Sequence, residues 1–153
     1  MRLVIQRVTQ ARVDIGGETH AAIGRGLLAL VAFRAEDTAR DADYLADKLC
    51  KLRVFEDANG KMNLSAADVG GGLLLVPNFT LYADASAGTR PSFSAAAPAE
   101  AAEAMFADFA ARVVARFAPG EVACGVFRAD MAVTLTNDGP VTIVLDSSQN
   151  KAK

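Results

Sequence analysis

The chain has 153 residues, 52% hydrophobic and 22% charged, which suits one domain with a sizeable core and excludes both a disordered polymer and two comfortable domains. A net charge of −2 and a pI near 5.4 exclude a broad basic footprint, so any nucleic-acid partner should be gripped over a small part only. No apolar run approaches the roughly 20 residues of a membrane span, and Met1-Arg2-Leu3-Val4-Ile5-Gln6-Arg7 meets charge too early for a secretory signal, so a cytoplasmic location without a membrane partner is expected.

In chain order, Leu3 to Val13 alternates as a strand, with Val4, Gln6 and Val8 opposed to Leu3, Ile5 and Arg7. Gly16-Gly17 turns the chain into a second strand, Glu18 to Ile23, which carries the only histidine, His20. With no acidic partner in sequence, His20 reads as a surface residue. Leu27 to Phe33 is a continuous apolar run and predicts a central strand buried on both faces. Asp37-Thr38 supplies an N-cap, and Leu45, Lys48, Leu49 and Leu52 recur at helical spacing, which predicts a helix from about Thr38 to Leu52. Arg53-Val54-Phe55 returns as a strand, Asp57 to Gly60 is a turn, and Lys61 to Leu64 pairs back. Gly70-Gly71-Gly72 precedes the strand Leu73 to Val76; a phosphate-cradling loop would need a helix there, so the cluster reads as a strand entry.

Pro98 fits the first turn of a long helix reaching Phe117, with Met105, Phe106, Phe109, Val113 and Phe117 as its core stripe. Strands are expected at Val122 to Phe127, Met131 to Thr136 and Val141 to Asp146. Between the last two, Asn137-Asp138-Gly139-Pro140 has the chemistry of a tight hairpin turn. A second reading has Gly139-Pro140 presenting bare carbonyls to a ligand, which a cis bond would favour. The expected fold is α/β: a single domain (residues 1–146) of mixed and antiparallel sheets in β/β/α layers, with two helices on one face. A polar tail, residues 147–153, is expected to fray.

Conventional catalytic sets are missing. Cys50 and Cys124 lack CxxC partners and read as free thiols, and no spacing of His, Cys and carboxylates suggests a metal or cofactor. A Ser-His-Asp set would have to recruit His20. Thr80 is a conceivable nucleophile but has no base beside it in sequence. Asp130 and Asp138 could approach across a sheet, though solvated turn acids explain them as well. An enzyme of this composition would work through backbone donors, positioning and its substrate's own groups.

Six short words occur in order: Gln6-Arg7-Val8, Gly60-Lys61-Met62-Asn63-Leu64, Phe79-Thr80-Leu81, Arg90-Pro91-Ser92-Phe93-Ser94, Ala129-Asp130-Met131 and Asn137-Asp138-Gly139-Pro140-Val141-Thr142. Together they resemble the D-aminoacyl-tRNA deacylase family over nearly the whole chain, up to about Leu145. The resemblance implies a cytoplasmic homodimer with cross-subunit active sites, acting on the aminoacylated 3′ end of tRNA. It implies hydrolysis of the ester of D-aminoacyl-tRNA, and of glycine mischarged on another tRNA. The family motif Asn-x-Gly-Pro-x-Thr is matched without change, so Gly139 and Pro140 would be a cis dipeptide that rejects L-aminoacyl groups in the partner's site, with Arg7 as its brace.

The other family motif, Ser-Gln-Phe-Thr-Leu, is matched only at Phe79, Thr80 and Leu81; Pro77 and Asn78 replace Ser and Gln. Asn78 keeps the amide with one methylene fewer, and Pro77 has no N–H to donate. The Phe79 N–H would be the oxyanion donor, with Asn78 and Thr80 beside it; Pro77, Phe127 and Met131 are further substrate-binding expectations. Arg7 as a plain strand-surface residue remains open. So do an esterase using Thr80 as covalent nucleophile and a non-catalytic homodimer that binds a small ligand or nucleoside.

Overall fold

β1 (Arg2–Ile15) is the strand to which the rest of the sheet is tied, because three other strands hydrogen-bond to it. The computed structural model describes residues 1–150. Along its first half β1 lies between β3 (Gly26–Ala32) and β8 (Met131–Asp146); along its second half it lies between β2 (Glu18–Ile23) and β8, all antiparallel. β3 then pairs in parallel with β6 (Gly72–Pro77), and β6 with β7 (Val122–Cys124). β3 and β6 approach so closely that a Cβ on Gly26 would lie 2.0 Å from the Gly72 carbonyl oxygen. A separate ribbon joins β4 (Phe55–Glu56) to β5 (Met62–Leu64).

The apolar run of β3 is buried on both faces, and successive side chains enter different cores. Leu27, Ala29 and Val31, with Leu73 and Leu75 of β6, face α1 (Ala39–Lys51) and α2 (Ala99–Phe117). Leu28, Leu74 and Val76 face the other way, against Val8, Ala11, Val13 and Ile23 from the outer parts of β1 and β2. The result is a single domain in which helices cover one face and curling strands cover the other. α1 starts where Asp41 accepts hydrogen bonds from the Thr38 N–H at 3.0 Å and its hydroxyl at 2.7 Å. α2 begins after Pro98 and buries Phe106, Phe109, Val113 and Phe117. Asp43 bridges the helices by pairing with Arg112 at 2.7 Å and with Arg116. Neither is long and apolar enough to cross a membrane.

Besides the strand expected at Arg53-Val54-Phe55, which starts only at Phe55, three sequence expectations change. Met131–Thr136 and Val141–Asp146 do not fold back on each other as a hairpin. Both pair with β1, so one 16-residue strand runs through the Asn-Asp-Gly-Pro segment. Gln6 faces Thr142 and Val8 faces Asn137, leaving residues 138–141 as a bulge. Asn, Asp, Gly and Pro suit an irregular backbone, and β1 is long enough to hold both runs in line. Second, the strand expected to reach Phe127 ends at Cys124; Gly125 donates to the Leu75 carbonyl at 2.8 Å and the chain then leaves the sheet. Third, fraying does not begin at 147: Ser147–Gln149 form a 3₁₀ turn, and buried Ser147 donates its N–H to the Met1 carbonyl at 2.9 Å. The last three residues of that tail lie outside the described residues. β8 is paired on one side only among the described strands and leaves Val133 and Val144 exposed.

Candidate active site

β6 delivers the chain to the site. The Asn78 N–H bonds to the Val31 carbonyl at 2.8 Å, which extends the β3 contact one residue past the strand. Asn78 Oδ1 then accepts the Thr80 N–H at 3.2 Å and the Thr80 hydroxyl, capping a 3₁₀ turn over Phe79–Tyr82. As first residue of that turn, Phe79 has an amide with no acceptor inside the turn. Its ring is 54% exposed and meets Phe93 edge-on, with centroids 5.2 Å apart.

The far end of the turn is anchored by arginines. Arg2 Nη1 donates to the Leu81 carbonyl at 3.0 Å, and Arg2 and Arg34 lie 4.9 and 4.7 Å from the Tyr82 ring centre. The Tyr82 hydroxyl is buried without a partner among the described residues. Burial, with the Asp146 and Asp37 charges, pushes its pKa up, so it stays a neutral phenol.

Beside the turn opens a cleft of about 500 Å³. Pro77, Asn78 and Phe79 form one wall, Phe127 and Met131 another, and Phe93 with the start of α2 closes it. Five of the sequence-selected residues therefore converge from the end of β6, the turn after it, β8 and the loop before β8. Thr80 belongs to the turn but does not line the cleft. Sequence reasoning missed Ala96, Ala97, Ala99 and Ala102, where small residues carry no signal, and missed Phe93 as a lining residue although its word is one of the six. It also missed Arg128, the one charged residue on the wall, whose φ of 62° lies in the left-handed region.

Arg7, Gly139 and Pro140 lie elsewhere on this chain, on the β1–β8 ladder. Arg7 is a buried residue, not a strand-surface one. Its Nε donates to the Asp138 carbonyl at 3.0 Å and pairs with the Asp138 carboxylate at 3.1 Å; Nη1 donates to the Val54 carbonyl. Asn137 Nδ2 closes the bulge by donating to the Arg7 carbonyl at 3.0 Å and the Val141 carbonyl at 3.1 Å. A Cβ at position 139 would fall 2.3 Å from Asn137 Oδ1, so any larger residue must displace the Asn137 side chain. The Gly139–Pro140 bond is cis, and both residues are exposed. Gln6 Nε2 donates to Thr142 Oγ1 at 3.1 Å, finishing the brace.

The other candidates do not assemble. Met131 faces Ile15 and Asn137 faces Val8, so Asp130 and Asp138 are separated along the ladder by more than roughly 20 Å at about 3.3 Å per residue. His20 is exposed on β2. Cys50 and Cys124 are free thiols; burial pushes Cys50 up to about 11 and raises Cys124 too, so both stay protonated. Among the described residues no three His, Cys, Asp or Glu side chains form a metal-holding group.

A family model described as D-Tyr-tRNA(Tyr) deacylase matches residues 4–146. A D-aminoacyl-tRNA deacylase of Anaeromyxobacter dehalogenans is 55% identical over 147 residues, 96% of this chain and 97% of its own length. One from Methylibium petroleiphilum is 51% identical over 153 residues, 100% of this chain and 99% of its own. Among solved structures, a c-Myc DNA unwinding element binding protein superposes with a TM-score of 0.90 at 40% identity, covering 95% of this chain and 98% of its own. A probable eukaryotic D-amino acid tRNA deacylase, at 17% identity and a TM-score of 0.78, shares the fold over 94% of this chain and 97% of its own.

Proposed function

The chain belongs to the D-Tyr-tRNA(Tyr) deacylase family, and from that membership we propose that it hydrolyses the ester of D-aminoacyl-tRNA, and of mischarged glycyl-tRNA, in the cytoplasm. The observation that carries this reading is the capped turn at Asn78–Thr80, which opens the Phe79 amide beside an apolar cleft of about 500 Å³. Such a volume suits a nucleoside with a small acyl group.

In this mechanism the terminal adenosine enters the cleft against Phe79, Phe127 and Met131, and the ester carbonyl points at the Phe79 N–H. Water adds to that carbonyl, and the oxygen gains negative charge stabilised by the amide, worth roughly 10²–10³ in rate for one such donor. The ribose 2′-hydroxyl, adjacent to the ester, assists proton movement. The bond to the 3′ oxygen then breaks, that oxygen takes a proton, and free tRNA and the D-amino acid depart. Asn78 Oδ1 is occupied by the turn, so only its Nδ2 is available to substrate. The Thr80 hydroxyl donates to an amide oxygen, which is not a base, so Thr80 shapes the turn and attacks nothing.

Chirality is the task of Gly139 and Pro140. They are exposed, braced by Arg7 and Asn137, and absent from the cleft of their own chain. A homodimer built with the unpaired side of β8 as part of its interface would bring this segment of a second copy to the cleft. Main-chain carbonyls there would accept hydrogen bonds from the α-ammonium and fill the volume an L side chain requires. A D side chain points away from them, and glycine has none.

Incubation with D-Tyr-tRNA and L-Tyr-tRNA tests the reading. Release of D-tyrosine alone is expected; release of both forms, or of neither, rejects it.

A further inference from the structure

The cleft wall contains a single charge. Pro77, Phe79, Phe93, Phe127 and Met131 make it apolar, and Arg128 is the one charged residue among those that line it. Arg128 is exposed and has no ion pair or hydrogen bond within the described residues, so its guanidinium remains available. Its backbone is unusual as well. With φ at 62°, it is the only non-glycine among the described residues in the left-handed region, where a side chain is disfavoured and glycine is at ease. The position thus holds a cation where backbone preference alone would select glycine.

We infer that Arg128 takes a phosphodiester of the acceptor strand next to the terminal adenosine, and so is a binding residue for the RNA part of the substrate. The inference rests on the deacylase reading. An adenosine seated in the cleft can bury its base against the aromatic rings, but the phosphate on its 5′ side cannot be satisfied by an apolar wall. A guanidinium matches phosphate oxygens with two parallel N–H donors. The contact positions the strand without reading its sequence. In a chain of net charge −2, one well-placed cation carries a large share of the attraction to the RNA end.

The test uses the full chain, two substrates and two variants. Arg128→Gly removes the charge and relaxes the backbone, so it should fold at least as well as the parent; Arg128→Lys keeps the charge without the planar fork. On D-Tyr-tRNA, Arg128→Gly should lower kcat/KM about tenfold, chiefly through KM, and flatten the log–log salt slope by about 0.7. Arg128→Lys should fall between parent and glycine variant. On the 3′ ester of D-tyrosine with adenosine, which has no phosphate, Arg128→Gly should lose much less than the tenfold expected on D-Tyr-tRNA. Equal losses on the two substrates would assign Arg128 to cleft shape and overturn the inference. Parental kinetics of Arg128→Gly on D-Tyr-tRNA would also overturn it, with the deacylase reading intact. A parent that cleaves neither substrate defeats that reading, and the inference with it.

Discussion

Arg7 holds Asp138 by both main chain and side chain: its Nε lies 3.0 Å from the Asp138 carbonyl oxygen and 3.1 Å from its carboxylate. Two words from opposite ends of the chain thus form one object. Asn137 returns the contact by donating to the Arg7 carbonyl, and Gln6 adds Thr142. The exposed Gly139-Pro140 segment sits in a frame held on the β1 side by Arg7, Asn137 and Gln6.

Removing Arg7 should therefore damage the frame before the fold. Arg7→Ala strips the buried Val54 carbonyl and Asp138 of their donor, with a cost of about 1–3 kcal/mol for groups left unsatisfied. We expect a lowered Tm and at least tenfold less D-Tyr-tRNA hydrolysis. Arg7→Lys should recover charge but not both contacts, and so little of the activity. Unchanged activity in Arg7→Ala would show that the brace is dispensable. Thermal unfolding and single-turnover deacylation measure the two effects.

Position 139 should control selectivity more than rate. The Cβ of Gly139→Ala would meet Asn137 Oδ1 at 2.3 Å and push Asn137 off the Arg7 and Val141 carbonyls. The expected outcome is a smaller ratio of D- to L-Tyr-tRNA hydrolysis. Asn137→Ala should reproduce it by loosening the same bulge. A ratio equal to the parent's in both variants would remove the bulge from chiral discrimination.

Thr80→Ala should slow the reaction without abolishing it. The substitution deletes the hydroxyl bond to Asn78 Oδ1 but keeps the Thr80 N–H bond to the same atom at 3.2 Å. A loss of about one neutral hydrogen bond, or roughly tenfold, is expected in kcat. Mass spectrometry of the quenched parent should find no acyl adduct on Thr80. Complete loss of activity together with a trapped adduct would restore the nucleophile.

Acid should loosen the anchor of the same turn. Burial pushes the Asp146 carboxyl up, but the Ser148 hydroxyl and N–H bonds and the Arg2 guanidinium outweigh it and hold the carboxyl below its ordinary 3.8. A carboxylate with a lowered folded-state pKa contributes stability fully above its unfolded value, and that contribution is lost as pH falls through the folded value. Arg2→Gln should thus lower Tm at neutral pH, with the difference from the parent narrowing below pH 3.8. The variant should also lose kcat, because Arg2 holds the Leu81 carbonyl and stacks on Tyr82. A Tm difference constant down to pH 2 would detach Asp146 from this anchor.

What the amino-acid sequence determined by itself was local: periods, caps and stops. The Thr38 cap and the leucine spacing placed α1 within a residue at each end, and the apolar run of β3 announced burial on two faces because a strand alternates its side chains. The same alternation marked both halves of β8. It pointed to a hairpin between them, because Asn-Asp-Gly-Pro suits a reversal; the 14 residues of β1 decided otherwise by bonding to both halves. Tertiary structure alone gathered Phe79, Phe93, Phe127 and Met131 into one cleft and left Arg128 as the only charge on its wall. Short-range steric and hydrogen-bond preferences are written within a few residues of chain, whereas the pairing of distant edges is chosen by the whole set of strands competing for the same hydrogen bonds.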